Sequence, residues 1–210
     1  MDKHPLPQLI EAMHATIQGH AAQLDALDEA LGDGDHGTNL ARALAALSSR
    51  RGRLAELSLA EALTEVADVI EHEAGGDGGR YYGALCRGMG GKATAAVDGK
   101  ALVAMLEAGV KAVQEAGGAV KGDKTLLDVL IPVTQGVRSQ IDAGDPARIG
   151  ARIVAAAAHG LHGTTHLEAK RGLAAGLGPA SINRIDPGAC SCALLFGAAV
   201  GLLERAPQAA

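Results

Sequence analysis

Acidic residues and glycines are concentrated in one short segment, residues 28–39, which reads Asp-Glu-Ala-Leu-Gly-Asp-Gly-Asp-His-Gly-Thr-Asn. Glycines beside Asp33 and Asp35 allow a sharp turn, so both carboxylates can point inward while Asp28 reaches them from the preceding helix. Crowded carboxylates repel one another, and a hard divalent cation such as Mg²⁺ or Ca²⁺ relieves that repulsion. The segment therefore predicts a metal site, and an Asp/Gly turn that only caps the next helix is the alternative.

The helix after the acidic turn is predicted to begin at Thr38, where free amides and the helix dipole favour a phosphate beside the metal. Three further segments have compositions that suit a ligand-binding site. They are a glycine run at 75–79, a Lys-Gly-Asp-Lys-Thr segment at 121–125, and an Asp-Pro-Gly-Ala segment at 186–189. Each has a purely structural alternative: a tight turn between helices, a capped helix start with a solvated lysine, and an N-cap.

Three histidines are spaced for one helical face. His159, His162 and His166 lie three and four residues apart, as the ligands of a transition metal on a helix would. No acidic residue or cysteine lies near them in the sequence to complete a ligand set. A polar groove or surface stripe is therefore favoured over a metal site.

Apolar residues recur at helical spacing along the chain, and no segment alternates like a strand for long. The spacing predicts eight helices and hence an all-α fold, an antiparallel up-and-down arrangement. The predicted helices cover about 5–31, 38–49, 58–75 (opened by a Ser58–Glu61 capping box), 80–97 and 101–116, one from 124 that Pro132 should kink, and two opened by Asp145-Pro146 and Asp186-Pro187.

Connections in such an arrangement alternate between its two ends. The first, third, fifth and seventh connections, near residues 32–37, 75–79, 117–123 and 172–186, share one end. The remaining connections are short or solvated. Because nearly every glycine-rich, Asp-rich or His-bearing connection falls in the first group, the chemistry is predicted at one rim.

Composition excludes several classes of protein. The 210 residues are 48% apolar and 20% charged, which predicts a single folded domain over 1–210 with a buried core. A net charge of −5, three aromatic residues and one short basic run, Arg50 to Arg53, interpreted as a solvated loop, argue against nucleic-acid binding. No apolar stretch approaches the ~18 residues of a membrane span, and Met1 to Pro5 has no leader character, so no membrane association and a cytoplasmic location are expected. The cysteines, Cys86, Cys190 and Cys192, are interpreted as reduced packing residues.

The motifs at 32–37 with Asn39, at 122–125 and at 186–189 resemble, in order and spacing, the nucleotide-binding domain of dihydroxyacetone kinases, the DhaL family. The resemblance covers nearly the whole chain. It implies an eight-helix barrel in which two Mg²⁺ ions bridge the phosphates of ADP or ATP. The implied metal ligands, which would also carry the catalysis, are Asp28, Asp33 and Asp35, and the implied nucleotide contacts are His36, Gly37, Thr38, Asn39, Gly76, Asp77, Gly78, Gly117, Leu126, Asp186, Pro187 and Gly188.

The resemblance implies a phosphotransferase subunit of glycerol metabolism. It would deliver a phosphoryl group to a small hydroxyketone that a separate DhaK-like subunit holds, with its nucleotide either recharged by a phosphocarrier protein or exchanged as free ATP. Whether the chain self-associates is left open. The alternatives are a divergent metal-dependent enzyme that acts on a small polar or phosphorylated substrate without a nucleotide, and a non-catalytic regulatory module.

Several positions depart from the family pattern. Asp77 and Gly78 stand where the family commonly has a small residue and a serine, and His166 stands where a threonine is usual. Leu173 and the Gly-Pro-Ala-Ser segment at 178–181 replace segments that carry arginine, and leucine cannot bind phosphate as a guanidinium does. Asp77 is a candidate for the metal shell, and the nearby arginines that could compensate are Arg80, Arg171 and Arg184.

Overall fold

The computed structural model describes residues 4–205, and every regular element in that range is helical, which confirms the all-α fold. Residues 1–3 and 206–210, which the single-domain expectation included, lie outside the described residues. The α-helices are α1 (Leu6–Glu29), α2 (His36–Ser49), α3 (Arg51–Glu56), α4 (Leu59–Ala74), α5 (Gly76–Gly90), α6 (Gly99–Gly117), α7 (Leu127–Asp142), α8 (Ile149–Gly163) and α9 (Pro187–Arg205). Short 3₁₀ segments lie at Pro146–Arg148, Thr164–His166 and Leu173–Ser181.

The eight long helices contact one another in a closed ring. Each packs against the next long helix in the chain, and α9 packs against both α8 and α1. Leucine, isoleucine, valine and alanine fill the interior, as the shortage of aromatic residues requires, and Leu24, Leu47, Leu127 and Leu130 are fully buried. The basic run interpreted as a loop is instead helical from Arg51, in the short α3, which packs beside α1 and α4.

Several helices begin or end at residues other than those predicted, and the backbone conformation at particular residues explains the difference. Helix α5 begins at Gly76, earlier than expected, because Gly75 with φ 61° ends α4 and leaves no linker. It ends at Gly90, where a pair of glycines weakens the helix. Helix α7 begins at Leu127, because Lys124 has φ 62°, a left-handed conformation that a helix excludes.

Proline 132 lies inside α7, and the helix continues through it to Asp142. Proline has no amide to donate to the carbonyl of Asp128 four residues earlier. Gly160 of α8 packs at this carbonyl so closely that a Cβ would lie 2.2 Å from the oxygen. Residue 160 therefore has no room for a side chain where α7 and α8 cross. The kink expected at Pro132 stays a prediction.

Two of the three predicted helix caps are present. Ser58 and Glu61 form the reciprocal capping box at the start of α4. Asp186 accepts a hydrogen bond from the Ala189 amide, at 2.6 Å, at the start of α9. Asp145 makes no capping bond and instead pairs with Arg148 at 3.3 Å.

Helix α9 is long and apolar enough to cross a membrane by length and composition alone, contrary to the expectation that no segment of the chain has that character. In the structure it packs against α1 and α8. Its first turns carry Cys190, Ser191 and Cys192 into the core, and all three cysteines of the chain are free, as predicted.

Candidate functional site

One cavity, of about 530 Å³, receives residues from all four connections that were expected to share a rim. A volume of this size suits a ligand as large as a nucleotide. The lining includes Asp28, Gly32, Asp33, Asp35, His36 and Asn39 from the first connection, residues 74–79 with Tyr81 and Tyr82 from the second, Lys124, Thr125 and Leu126 from the third, and residues 171–174 and 186–188 from the fourth. The structure thus brings the dispersed motifs to one place.

Three carboxylates converge at the first connection. One oxygen from each of Asp28, Asp33 and Asp35 lies within 4.8 Å of the other two. All three donors are hard oxygens, and Asp33 and Asp35 are exposed, so water or a ligand's phosphate could complete an octahedral shell. The cluster therefore fits Mg²⁺ by the chemistry of its donors.

Within residues 4–205 no second group of histidine, cysteine, aspartate or glutamate side chains is arranged in this way. His159, His162 and His166 are all exposed on and just after α8. The surface-stripe interpretation therefore describes the three histidines, and they do not assemble a metal site with neighbouring acidic or cysteine ligands.

The amides at the start of α2 are not free for a phosphate, contrary to the sequence-based expectation. Asp28 Oδ2 accepts hydrogen bonds from the amides of residues 34, 35 and 36, at 3.0, 3.0 and 3.3 Å. Asp25, one turn earlier on α1, accepts from the Thr38 amide at 2.9 Å and from the Thr38 hydroxyl at 2.6 Å. Two carboxylates of α1 therefore already satisfy the donors and the positive end of α2.

The start of α5 offers the donors that α2 lacks. Residues 75–79, which we call the glycine loop, contain two glycines with positive φ, Gly75 and Gly76, and no side chain caps the helix. The first amides of α5 therefore have no side-chain partner, and the loop lines the cavity. An uncapped helix start beside a carboxylate cluster is a suitable place for a phosphate whose charge a cation also neutralises.

Asp77 of the glycine loop does not belong to the carboxylate cluster. Its Oδ1 pairs with Arg80 at 2.6 Å, and its Oδ2 lies 2.9 Å from the position that a Cβ would take at Gly172. Asp77 thus lies beside the connection before α9, and a side chain at residue 172 would have to displace the Asp77 carboxylate.

Of the three arginines named as possible compensation, Arg171 alone lines the cavity. Its Nε donates to buried Asp123 at 2.8 Å, and its Nη2 donates to the Gly118 carbonyl at 2.6 Å. Arg80 pairs with Asp77, and Arg184 donates to the Ala180 carbonyl. Leu173, in place of the family arginine, is 67% exposed at the cavity mouth.

Three residues that the resemblance placed around the nucleotide do not line the cavity. Gly37 packs against α1, where a Cβ would lie 2.2 Å from the Ala21 carbonyl oxygen. A Cβ at Gly117 would lie 2.3 Å from the Tyr81 ring. Thr38 binds Asp25. The other predicted contacts do line it: His36, Asn39, Gly76, Asp77, Gly78, Leu126, Asp186, Pro187 and Gly188.

Two polar residues at the cavity, Tyr82 in its wall and buried Ser191 beside it, were not predicted from the sequence. His36 Nε2 lies 2.8 Å from the hydroxyl of Ser191, and the Tyr82 hydroxyl lies 2.7 Å from the same oxygen. Burial lowers the pKa of His36 and outweighs the opposite effect of the nearby aspartates, of which Asp28 contributes most. No local signal marks Ser191, because its two side-chain partners, His36 and Tyr82, are more than a hundred residues away in the chain.

Lys124 and Asp186 supply opposite buried charges at the cavity wall. The ammonium of Lys124 donates to the carbonyls of Thr164 and Arg184, which joins both ends of the connection before α9. Asp186 is 9% exposed. Burial raises the pKa of Asp186 to about 7, against the lowering effect of the Ala189 amide and then of Lys124.

The raised pKa of Asp186 predicts a stability that falls as pH rises. Because the folded carboxyl binds its proton more tightly than the unfolded one, the free energy of unfolding decreases from the ordinary aspartate pKa up to about 7. Asp186→Asn removes this titration. We therefore expect the free energy of unfolding of Asp186→Asn, minus that of the parent, to rise by about 2 to 4 kcal/mol between about pH 4 and pH 8.

Urea unfolding of both proteins in EDTA measures this difference. Exposed Asp142, changed to asparagine, is the control and should follow the parent profile. Parallel profiles for the parent and Asp186→Asn would contradict the prediction.

Comparison with known proteins gives concordant matches. The model of the DAK2 domain matches residues 30–201. The ADP-binding subunit DhaL of a PEP-dependent dihydroxyacetone kinase from Listeria innocua is 33% identical over 183 residues, 87% of each chain. The corresponding subunit DhaL of a second kinase from that organism is 30% identical and covers 98% of this chain and 97% of its own.

Longer relatives match over part of their length. Triokinase/FMN cyclase from Rattus norvegicus is 30% identical over 93% of this chain, which spans 34% of that protein. Among solved structures, the dihydroxyacetone kinase of C. freundii superposes with a TM-score of 0.74 at 25% identity, over 93% of this chain and 34% of that one.

Proposed function

Because the chain belongs to the DAK2 domain family, as a divergent DhaL member, we propose that it is the nucleotide-binding component of a kinase that phosphorylates a small hydroxyketone. The observation that carries the proposal is the cluster of Asp28, Asp33 and Asp35 at the mouth of a nucleotide-sized cavity. The relatives of similar length are named as ADP-binding subunits of dihydroxyacetone kinases.

The residues of the cavity have different roles in binding. Asp28, Asp33 and Asp35 would hold Mg²⁺, which when bound neutralises charge on the transferring phosphoryl group. The uncapped start of α5 offers amides to a phosphate. Buried Leu126 and Tyr82 give the cavity an apolar wall that excludes water from the bound ligand.

The rest of the reaction belongs to a partner. The DhaL relatives of similar length are named as subunits of dihydroxyacetone kinases, which supports a division of the reaction between two chains. We propose that a dihydroxyacetone-binding subunit presents the acceptor at the rim. The donor is then either a phosphocarrier protein, which rephosphorylates bound ADP, or free ATP.

Calorimetric titration with ADP, with and without Mg²⁺, tests the nucleotide site. We expect Mg²⁺-dependent binding, because the clustered carboxylates of Asp28, Asp33 and Asp35 would repel the phosphates of a nucleotide that arrives without cations. No heat of binding at about millimolar ADP would overturn the proposal.

Assay of dihydroxyacetone phosphorylation with a DhaK-type subunit tests the reaction. One arm supplies ATP, and the other supplies ADP-loaded protein with phosphoenolpyruvate and its phosphocarrier proteins. Product in one arm identifies the donor, and product in neither arm contradicts the proposed acceptor class.

A further inference from the structure

A chain of hydrogen bonds joins three helices behind the glycine loop. His36 begins α2, Tyr82 belongs to α5, and Ser191 belongs to α9. The Ser191 hydroxyl lies 2.8 Å from His36 Nε2, 2.7 Å from the Tyr82 hydroxyl and 3.0 Å from the Gly188 carbonyl oxygen. Ser191 has no exposed surface, so water does not compete for these bonds.

The number of available hydrogens decides which group donates in each of these hydrogen bonds. A serine hydroxyl has one hydrogen and two lone pairs, and a carbonyl can only accept. If Ser191 donates to Gly188, its lone pairs can accept from both Tyr82 and His36 Nε2–H. Tyr82 has its shorter contact with Ser191, since its distance to the Gly188 oxygen is 3.4 Å. This arrangement satisfies every short contact in the group.

The other ring nitrogen of His36 lies beside the start of α5. A Cβ placed on Gly78 would lie 3.4 Å from His36 Nδ1, and Gly78 is in the first, uncapped turn of that helix. The positive end of a helix dipole favours a lone pair over an N–H group at a neighbouring nitrogen. The positive end of α5 therefore favours the same tautomer of His36, with the hydrogen on Nε2 and a lone pair on Nδ1.

We propose that Ser191 is a positioning residue that fixes His36 as the Nε2–H tautomer, with Nδ1 presented to the glycine loop and the cavity as an acceptor. A ligand group that meets Nδ1 must then donate a hydrogen bond, as a hydroxyl or an amine of a nucleotide does. A phosphate held by the amides at the start of α5 must then be placed so that its oxygens do not contact Nδ1, because both would be acceptors. The statement about the ligand rests on the proposed function, whereas the tautomer does not.

Nitrogen NMR of the ¹⁵N-histidine-labelled protein tests the tautomer without ligand, at about pH 8, above the ordinary pKa of histidine. The His36 resonance, assigned as the one lost in His36→Gln, is expected to show a protonated Nε2 and an unprotonated Nδ1. A protonated Nδ1 with an unprotonated Nε2 would overturn the proposal.

Variants of the partners separate positioning from packing. Ser191→Ala removes the acceptor, so we expect a mixture of tautomers and an ADP affinity about fivefold weaker. Tyr82→Phe leaves the Ser191–His36 bond and is expected to keep the parent tautomer. Thr134→Val is the control for the loss of a buried helical hydroxyl, because Thr134 donates to the Leu130 carbonyl inside α7, and it should leave the His36 signal unchanged.

The two proposals fail separately. An unchanged tautomer in folded Ser191→Ala contradicts the role of Ser191 and leaves ADP binding intact. A parent protein that binds no ADP contradicts the proposed function, while its His36 spectrum still reports the tautomer. If Ser191→Ala does not fold, the parent and Tyr82→Phe spectra still decide the arrangement.

Discussion

Replacement of Asp33 and Asp35 together by asparagine is expected to weaken Mg²⁺-dependent ADP binding by about a hundredfold or more. The change removes two of the three anionic oxygens that converge within 4.8 Å. Asp28 alone cannot hold the cation as tightly, because its Oδ2 already accepts hydrogen bonds from three backbone amides. Calorimetry with ADP at fixed Mg²⁺ measures the loss, and phosphorylation of the acceptor should fall in parallel.

The same double variant is expected to keep its stability in EDTA. Asp35 stands at the N-cap of α2 but makes no capping bond, and removal of two charges relieves repulsion in the turn. Asp25→Ala is the matched control, because Asp25 caps Thr38 and is not in the cluster. It should lose about 1 kcal/mol of unfolding free energy and retain Mg²⁺-dependent ADP binding.

These opposite outcomes distinguish a metal site from a capped turn. If the double variant bound ADP with Mg²⁺ as the parent does, the carboxylates would not hold the cation. If instead it lost stability and Asp25→Ala lost nucleotide binding, the roles given to the two sets of carboxylates would be reversed.

Gly37→Ala is expected to destabilise the fold by about 2 to 3 kcal/mol. A Cβ at this position would lie 2.2 Å from the Ala21 carbonyl oxygen and 2.8 Å from Leu24 Cβ, both on α1. Backbone cannot yield as a flexible side chain can, so α1 and α2 must separate. Chemical denaturation measures the loss, and ADP affinity of the folded protein reports any further effect on the site.

Gly19→Ala is the matched control on α1. Gly19 is exposed, and nothing lies within 4 Å of a Cβ built there. Alanine should therefore stabilise the helix by about 0.5 to 1 kcal/mol. Equal stability of Gly37→Ala and the parent would show that the close approach of the two helices is not required.

Much of the framework could be predicted because its signals are local. Apolar periodicity located the eight long helices, and the capping pair Ser58 and Glu61 was recognisable within four residues. Alternation of connections then predicted that the motifs around Asp33, Gly76 and Asp186 would share a rim, and all three line one cavity. Helix ends were less accurate, since left-handed residues such as Lys124 decide them.

The errors concern contacts between separate elements of the fold. Residue type alone made the amides of α2 look available, but the packing of α1 beside α2 gives them to Asp25 and Asp28. Sequence proximity could not rank the three candidate arginines, and the fold places Arg171 alone at the cavity because Asp123 and Gly118 hold it there.

The sequence by itself determined the all-helical fold, the acidic turn and the resemblance to the DhaL family, because helix periodicity and motif spacing are properties of neighbouring residues. Tertiary structure decided which backbone amides are free to bind an anion, which cations reach the cavity, and how Ser191 meets His36. Each of these depends on how separate helices are placed relative to one another, and hydrogen bonds form only where that placement brings donor and acceptor within about 3 Å.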